Sequence, residues 1–489
     1  MMTSVDSADS AVANPLQHVG GSQLGMESRV SSSVVGTGSV STVSKARRVS
    51  SMGIEDSRHG RISADLLTNE TDGERKIRLE RMSRNSTFVA IVPKNNKYMT
   101  TFMLLNYMIG AGILNQPYVV KKAGIGGALC GFAVATYMTF RAVNYLTECA
   151  MEHQIFDYSA LAKHAFGAAG EKVIDISISL GGFGGVVSYV VVVGGVMSDL
   201  LQGWGCGNEI CEPIPVILIS VGLFVAPICL YRHFGHLTVL AIFSIVAIWT
   251  VLFLVIIGGS FYQVPTDNNL TLFNPQGMLS SLGSMILALS LCTGNFQAFV
   301  STEKKSQNIN DWSHVTASAI SLGSIMCLGM GISGYLYFRQ DTDGVIINNF
   351  TAPEFDFFKV MIVCHLICYI PAAFVIMRYS VVKLVLNQIS EDLPPMMHTG
   401  ISLGLVALIT GVVVMLQALG LSSGEAFSLV LDLTGGVAGS LTSFILPAAI
   451  YVQLMPDNGS WRYKEAKCIF YIGIILMITI LFVTIHGVV

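Results

Sequence analysis

Charge is what this chain has least of. Asp, Glu, Lys and Arg make up 12% of its 489 residues, against about 25% in a soluble protein of ordinary composition. The first 97 residues hold 13 of the 28 basic and 10 of the 31 acidic side chains, so the remaining 392 carry only 15 and 21. That dilution, with 52% apolar residues, excludes a soluble globular protein and fits a chain that crosses a membrane many times. A net charge of −3 supplies no basic field for nucleic acid. No basic segment followed by an apolar core opens the chain, so a cleaved signal peptide is not expected. Also lacking at membrane depth are a Ser/His/Asp set, a His-rich cluster and an HExxH pair, which argues against an enzyme or a metal site. "GAGILN" lacks the third glycine of a dinucleotide fingerprint, and no strand precedes it. No cofactor is expected.

What is present divides at residue 97. Residues 1–97 are rich in Ser and charge, poor in aromatics and without apolar period, the composition of a disordered tail. Residues 98–489 form the second unit. There, apolar runs long enough to cross ~30 Å of hydrocarbon recur eleven times, near 100–120, 125–149, 174–202, 213–230, 237–260, 278–300, 314–338, 357–385, 399–419, 426–451 and 468–487. All are expected to be helices, because an irregular backbone facing lipid leaves its amides unpaired. With the tail inside, twelve basic residues fall on inner segments and four on outer ones, which predicts a cytosolic N-terminus. Two further features agree. The sequons at Asn269 and Asn349 fall on outer loops, open to glycosylation. Cys206 and Cys211 share the outer loop "GCGNEIC", where a disulfide persists. Arg141, near the inner end of the second span, is placed to snorkel. "GGFGG" at 181–185 reads as close helix packing.

Two spans are weakened at mid-depth. In "NYMIGAGILNQPY" (106–118), Pro117 removes the helical partner of the Ile113 carbonyl, and Gly110 and Gly112 ease the chain out of helical dihedrals. In the sixth span, "SMILALSLCTGNFQAFV", Thr293, Gly294 and Asn295 interrupt the run. Bare backbone at that depth is tolerable only where it lines a cavity or is buried in protein. There it offers amides to an anion and carbonyls to a cation. Five is an odd number of spans, so halves made of spans one to five and six to ten run in opposite senses. Paired interruptions in two inverted halves point to the central site of a transporter.

The same residues carry a family resemblance. "NYMIGAGILNQPYVVKKAGI" resembles the first helix of the amino acid/auxin permease family, especially its sodium-coupled neutral amino-acid transporter branch. The stretches "FDYSALAKHAFGAAGEKVIDI", "PICLYRHFGHL", "GVIINNF" and "GSLTSFILPAAIYVQL" extend it over roughly 98–489. The resemblance implies an all-α membrane protein of eleven transmembrane helices with a LeuT-like 5+5 inverted repeat, helices 1 and 6 broken. It further implies that a substrate's carboxylate and amino groups meet the unwound backbone, here Gly110, Ala111, Gly112 and Ile113 facing Cys292, Thr293, Gly294 and Asn295. Tyr189 in the third span matches a family position that touches substrate.

Neither break contains Asp, Glu, Lys or Arg, and an unpaired charge in a dry site is very costly. A neutral amino acid is therefore the expected substrate, carried by a monomeric unit in the lipid bilayer. For coupling, Asn106 stands where sodium-coupled members carry an asparagine. Their helix-eight threonine before a proline is replaced by Tyr369, two residues before Pro371. His365, one turn earlier, and Asp432 in the tenth span are the intramembrane ionisable groups placed to carry a proton. The expectation is symport of H+ or Na+ at a plasma membrane or a vacuolar/lysosomal one. An amino-acid sensor signalling through the tail is the alternative.

Overall fold

A computed structural model describes residues 95–231, 238–259, 270–388, 390, 393–457 and 459–486, leaving aside the side chains of Ala111 and of residues 238–245. The tail as far as residue 94 and the sequon at Asn269 lie outside the described residues. Helices dominate throughout. Among the described residues, eight helices are long and apolar enough to cross a membrane, and two more apolar helices are shorter, so the chain is a multi-pass membrane protein.

In chain order, α1 is Lys97–Met108 and a 3-10 turn follows at Ala111–Asn115. Next come α2 (Gln116–His153) and α3 (Tyr158–Gly203), then α4 (Pro213–Cys229) and α5 (Thr238–Phe253). The sixth crossing is divided into α6 (Pro275–Ala288) and α7 (Cys292–Ser301). After it run α8 (Ile309–Phe338), α9 (Asp356–Leu386), α10 (Pro395–Ala418), α11 (Ser423–Leu454) and α12 (Trp461–His486).

Local chemistry sets the helix starts. The Asn96 carboxamide accepts from the Met99 amide, Asp157 from Ala160 and Asn308 from Asp311. Ser422 and Glu425 form a reciprocal capping box, each pairing satisfying an amide that the helix leaves free. The folded unit reaches back to Asn95, whose backbone bridges α7: its amide donates to the Ser301 carbonyl at 3.1 Å and its carbonyl accepts from Glu303 at 2.9 Å. Thr100 and Thr302 hydroxyls add a buried bond of 3.0 Å. Gly124 (φ 76°, ψ 161°) turns the chain within α2. A Cβ there would fall 2.7 Å from the Leu272 backbone, so only glycine fits both the dihedral and the space.

The few charges inside the bundle find partners. Arg141 does not snorkel: it pairs with Glu465 of α12, which also accepts from the Tyr137 and Tyr145 hydroxyls. Lys383 of α9 meets Asp175 at 3.0 Å and Glu171 at 3.1 Å on α3. Arg378 donates to the Cys229 carbonyl and the Ser402 hydroxyl. Each pairing offsets part of the desolvation of a charge out of water.

Candidate functional site

Both weakened spans break, the first over residues 109–115, which include the expected 110–113, and the sixth just before Thr293. α1 ends at Met108, Ile109 (ψ 88°) and Gly110 (ψ −160°) leave helical geometry, and α2 restarts at Gln116 with Pro117 in its first turn. Proline is well suited there, since a first-turn amide has no helical partner to lose. Pro117 thus opens the second half-helix and is not the breaking residue. In the sixth span the break is Leu289–Leu291, and Thr293–Asn295 already lie in the first turn of α7. Glycine and threonine were the visible signal; the turn itself is taken by the residues before them.

Between the breaks lies a cavity of about 240 Å3, walled by α1, α3, α6, α7, α9 and α11. None of its lining side chains is Asp, Glu, Lys, Arg or His. Gly110, Gly112, Tyr189, Thr293 and Tyr369 line it. The Tyr189 hydroxyl stands 3.3 Å from where a Cβ on Gly110 would be, so it faces the first break directly. The Tyr189 and Tyr369 rings meet edge to face, centroids 5.7 Å apart. Gly110 and Gly112 of the first break and Ser290 of the second all border this one space.

The other expected contacts are placed elsewhere. Ile113 and Cys292 are buried in the core. Asn295 is fully committed, donating to Thr147 Oγ1 at 3.0 Å and accepting from Trp312 Nε1 at 3.1 Å. Gly294 lies beneath the Tyr107 ring, where a Cβ would be 2.7 Å from the phenol carbon. Ala111 belongs to the first break, its side chain undescribed. Asn106 faces away from the cavity towards Ile248 and Trp249 of α5, because α1 is still helical there and turns its next residue inward. That residue is Tyr107, missed in the sequence, which lines the cavity and bonds Thr293 Oγ1 at 2.7 Å.

His365 is 1% exposed, lies behind Tyr369 (centroids 5.7 Å) and has neither ring nitrogen hydrogen-bonded. Asp432 does not face water: it is fully buried, Oδ2 2.8 Å from Lys122 Nζ, with Oδ1 accepting from the Ser284 amide at 3.2 Å and from its hydroxyl. Ser284 itself lines the cavity. Cys206 and Cys211 are joined as a disulfide. Asn349 accepts from the Asp343 amide and donates to the Asp341 carbonyl. Among the described residues, no group of three or more His, Cys, Asp or Glu is placed to hold a metal ion.

Of the residues lining the cavity, Tyr107 and Ile376 are 39% and 47% exposed. The far end is shut. Val345, Ile346, Ile347 and Phe350 are fully buried there, Gly344 packs against the Gly424 carbonyl, and Lys121 Nζ donates to the Thr342 carbonyl at 3.1 Å. Burial pushes the Asp343 carboxyl in this loop above its ordinary range.

Half-helices that meet at a one-sided cavity define a solute-binding membrane protein. The comparisons name the class: residues 94–486 match the family described as "Transmembrane amino acid transporter protein", and the chain belongs to that family, one of transporters and not of enzymes. The Danio rerio protein named "Putative sodium-coupled neutral amino acid transporter 11" is 23% identical over 391 residues, 77% of this chain and 84% of its own. "Vacuolar amino acid transporter 2" of Saccharomyces cerevisiae is 23% identical over 388 residues, 76% and 79% of the two chains. Among solved structures, "Inward facing conformation of Mhp1" superposes with a TM-score of 0.50 at 11% identity, over 81% of this chain and 91% of that one. At that identity the likeness speaks for the fold alone.

Proposed function

We propose that this chain is a secondary-active transporter of neutral amino acids, held here in a state open at its N-terminal end. The observation that carries the reading is the cavity's chemistry. Two helix breaks border a space without a charged side chain, which suits a zwitterion of zero net charge. The names of the relatives point the same way. On this reading the chain has eleven crossings, with two inverted five-helix halves whose first helices are the broken ones, and a cytosolic N-terminus. The membrane is a plasma membrane or a vacuolar/lysosomal one.

Protons are the favoured coupling ion. Alanines at 372 and 373 and the bulky Tyr369 form the α9 wall, so no compact hydroxyl or carboxylate of α9 is offered to sodium there, and Asn106 is turned away. His365, buried with unpaired nitrogens behind Tyr369, is the group best placed to take a proton. Asp432 contributes through its ion pair with Lys122, which must part before the far end opens. Reconstitution of the full chain into liposomes, with labelled amino acids under separate proton and sodium gradients, tests this. Saturable uptake of neutral amino acids stimulated by the proton gradient alone is expected. Stimulation by sodium alone would overturn the coupling, and preference for lysine or glutamate would overturn the substrate class.

A further inference from the structure

Beyond Tyr189 the cavity continues along one face of α3. Tyr189, Gly185 and Gly181 follow each other at intervals of four residues, hence on one helical face, and all three line the cavity. A Cβ at Gly185 would meet nothing within 4 Å, and one at Gly181 only the Ala438 methyl at 3.7 Å. The glycines beside them behave differently. A Cβ at Gly182 would fall 2.8 Å from Met377 Cβ, and one at Gly184 only 1.8 Å from Thr434 Oγ1. The "GGFGG" stretch therefore does two jobs: Gly182 and Gly184 let helices approach, whereas Gly181 and Gly185 leave room in the cavity. Across from them the wall is again small, with Ala372, Ala373 and Ala438.

Resting on the transport reading above, we infer that this recess receives the substrate's side chain, that large neutral aromatic amino acids are the substrates that fill it, and that Gly185 sets the size limit. The polar ends of the breaks and the Tyr189 hydroxyl lie at one end of the glycine face. The recess starts one helical turn away, about 6 Å along α3, which is the reach of an aromatic side chain from its α-carbon. An alanine or glycine bound at the same breaks would leave the recess unfilled and forgo its dispersion contacts. Tyr189 and Tyr369, already edge to face, offer ring surfaces to an aromatic substrate, a geometry favoured between aromatic groups.

The test compares uptake of alanine, leucine, phenylalanine and tryptophan by the full chain in liposomes, wild type against Gly185→Ala and Gly185→Leu. Because a methyl at 185 enters open space, Gly185→Ala folds, as its elution and melting temperature will show. Gly185→Leu is expected to lower phenylalanine and tryptophan kcat/KM about tenfold or more, the effect of overfilling a packed site, and to lower that of alanine several-fold less. Gly185→Ala should show the same ordering in miniature, strongest for tryptophan. Equal losses for alanine and tryptophan in Gly185→Ala, or undiminished tryptophan uptake in Gly185→Leu, would overturn the inference. A wild type that moves alanine but not phenylalanine overturns it too, while leaving the transport reading standing. A wild type that moves no amino acid removes both.

Discussion

The two ends of the cavity are held by contacts between different helices. At the far end, charge does the closing: Lys122 of α2 holds the fully buried Asp432 of α11, Lys121 holds the loop at Thr342, and the apolar residues 345–347 sit beneath. At the N-terminal end charge is paired too, Lys97 of α1 with Asp311 of α8 at 2.6 Å and Lys383 of α9 with Asp175 and Glu171 of α3, and neutral contacts add to it. Tyr107 bonds Thr293, and the Asn95 backbone bridges Ser301 and Glu303, so α1 is tied to α7 at both of its ends and not across the cavity. The lesson is that both ends join separate helices through charged pairs, and that the two half-helices α1 and α7 are in addition fastened to each other. Alternation would then move α1 and α7 together.

Removing one side of the far-end pair should have the largest effect. Asp432→Ala leaves Lys122 and the Ser284 donors without their acceptor, and a cost of about 3 kcal/mol is expected, read as a lower melting temperature in detergent. Because Lys122 is still partly exposed, with a side-chain accessibility of 27%, the double variant with Lys122→Met should recover most of the loss. If the double variant melts no higher than the single, the pair is not what holds that end. Next comes the contrast within α3. Gly184→Ala must push α11 away and should cost about 2 kcal/mol, while Gly185→Ala should stay within about 0.5 kcal/mol. Equal melting temperatures for the two would contradict the placement of that helix face. Tyr107→Phe deletes one neutral hydrogen bond at the open end, about 1 kcal/mol, and should change substrate KM by several fold with little effect on melting.

The smallest effect expected is a pH dependence in the far-end loop. Burial raises the Asp343 pKa in the folded protein above its ordinary value near 3.8. The folded state then binds a proton more tightly than the unfolded one. Stability should fall as pH rises from the unfolded pKa through the folded one. Asp343→Asn should flatten that slope in a melting series started at pH 3.5, and an unchanged slope would assign it to another group.

Much of this was legible in the chain. The helical, membrane-spanning class followed from scarce charge and long apolar runs, and the two breaks from glycine, threonine and proline at mid-depth. What could not be read was pairing across hundreds of residues. Nothing near Asp432 in the sequence announces Lys122, and nothing near Arg141 announces Glu465, because those partners are set by how helices stack. The places of the breaks have a related reason. Pro117 sits in the first turn of a new half-helix, where proline is tolerated, so the first break falls on residues 109–115 before it, and the second on Leu289–Leu291 before Thr293. Asn106 shows the same limit: where α1 stops decides which of its faces meets the cavity, and that made Tyr107 the inward residue.

The most direct measurement is a structure of the full chain with phenylalanine bound in a lipid nanodisc. The account predicts the ammonium and carboxylate within hydrogen-bonding distance of peptide groups at 108–113 and 289–293, with the ring beside Gly185. Continuous helix through both stretches, or an amino acid bound away from them, would contradict it.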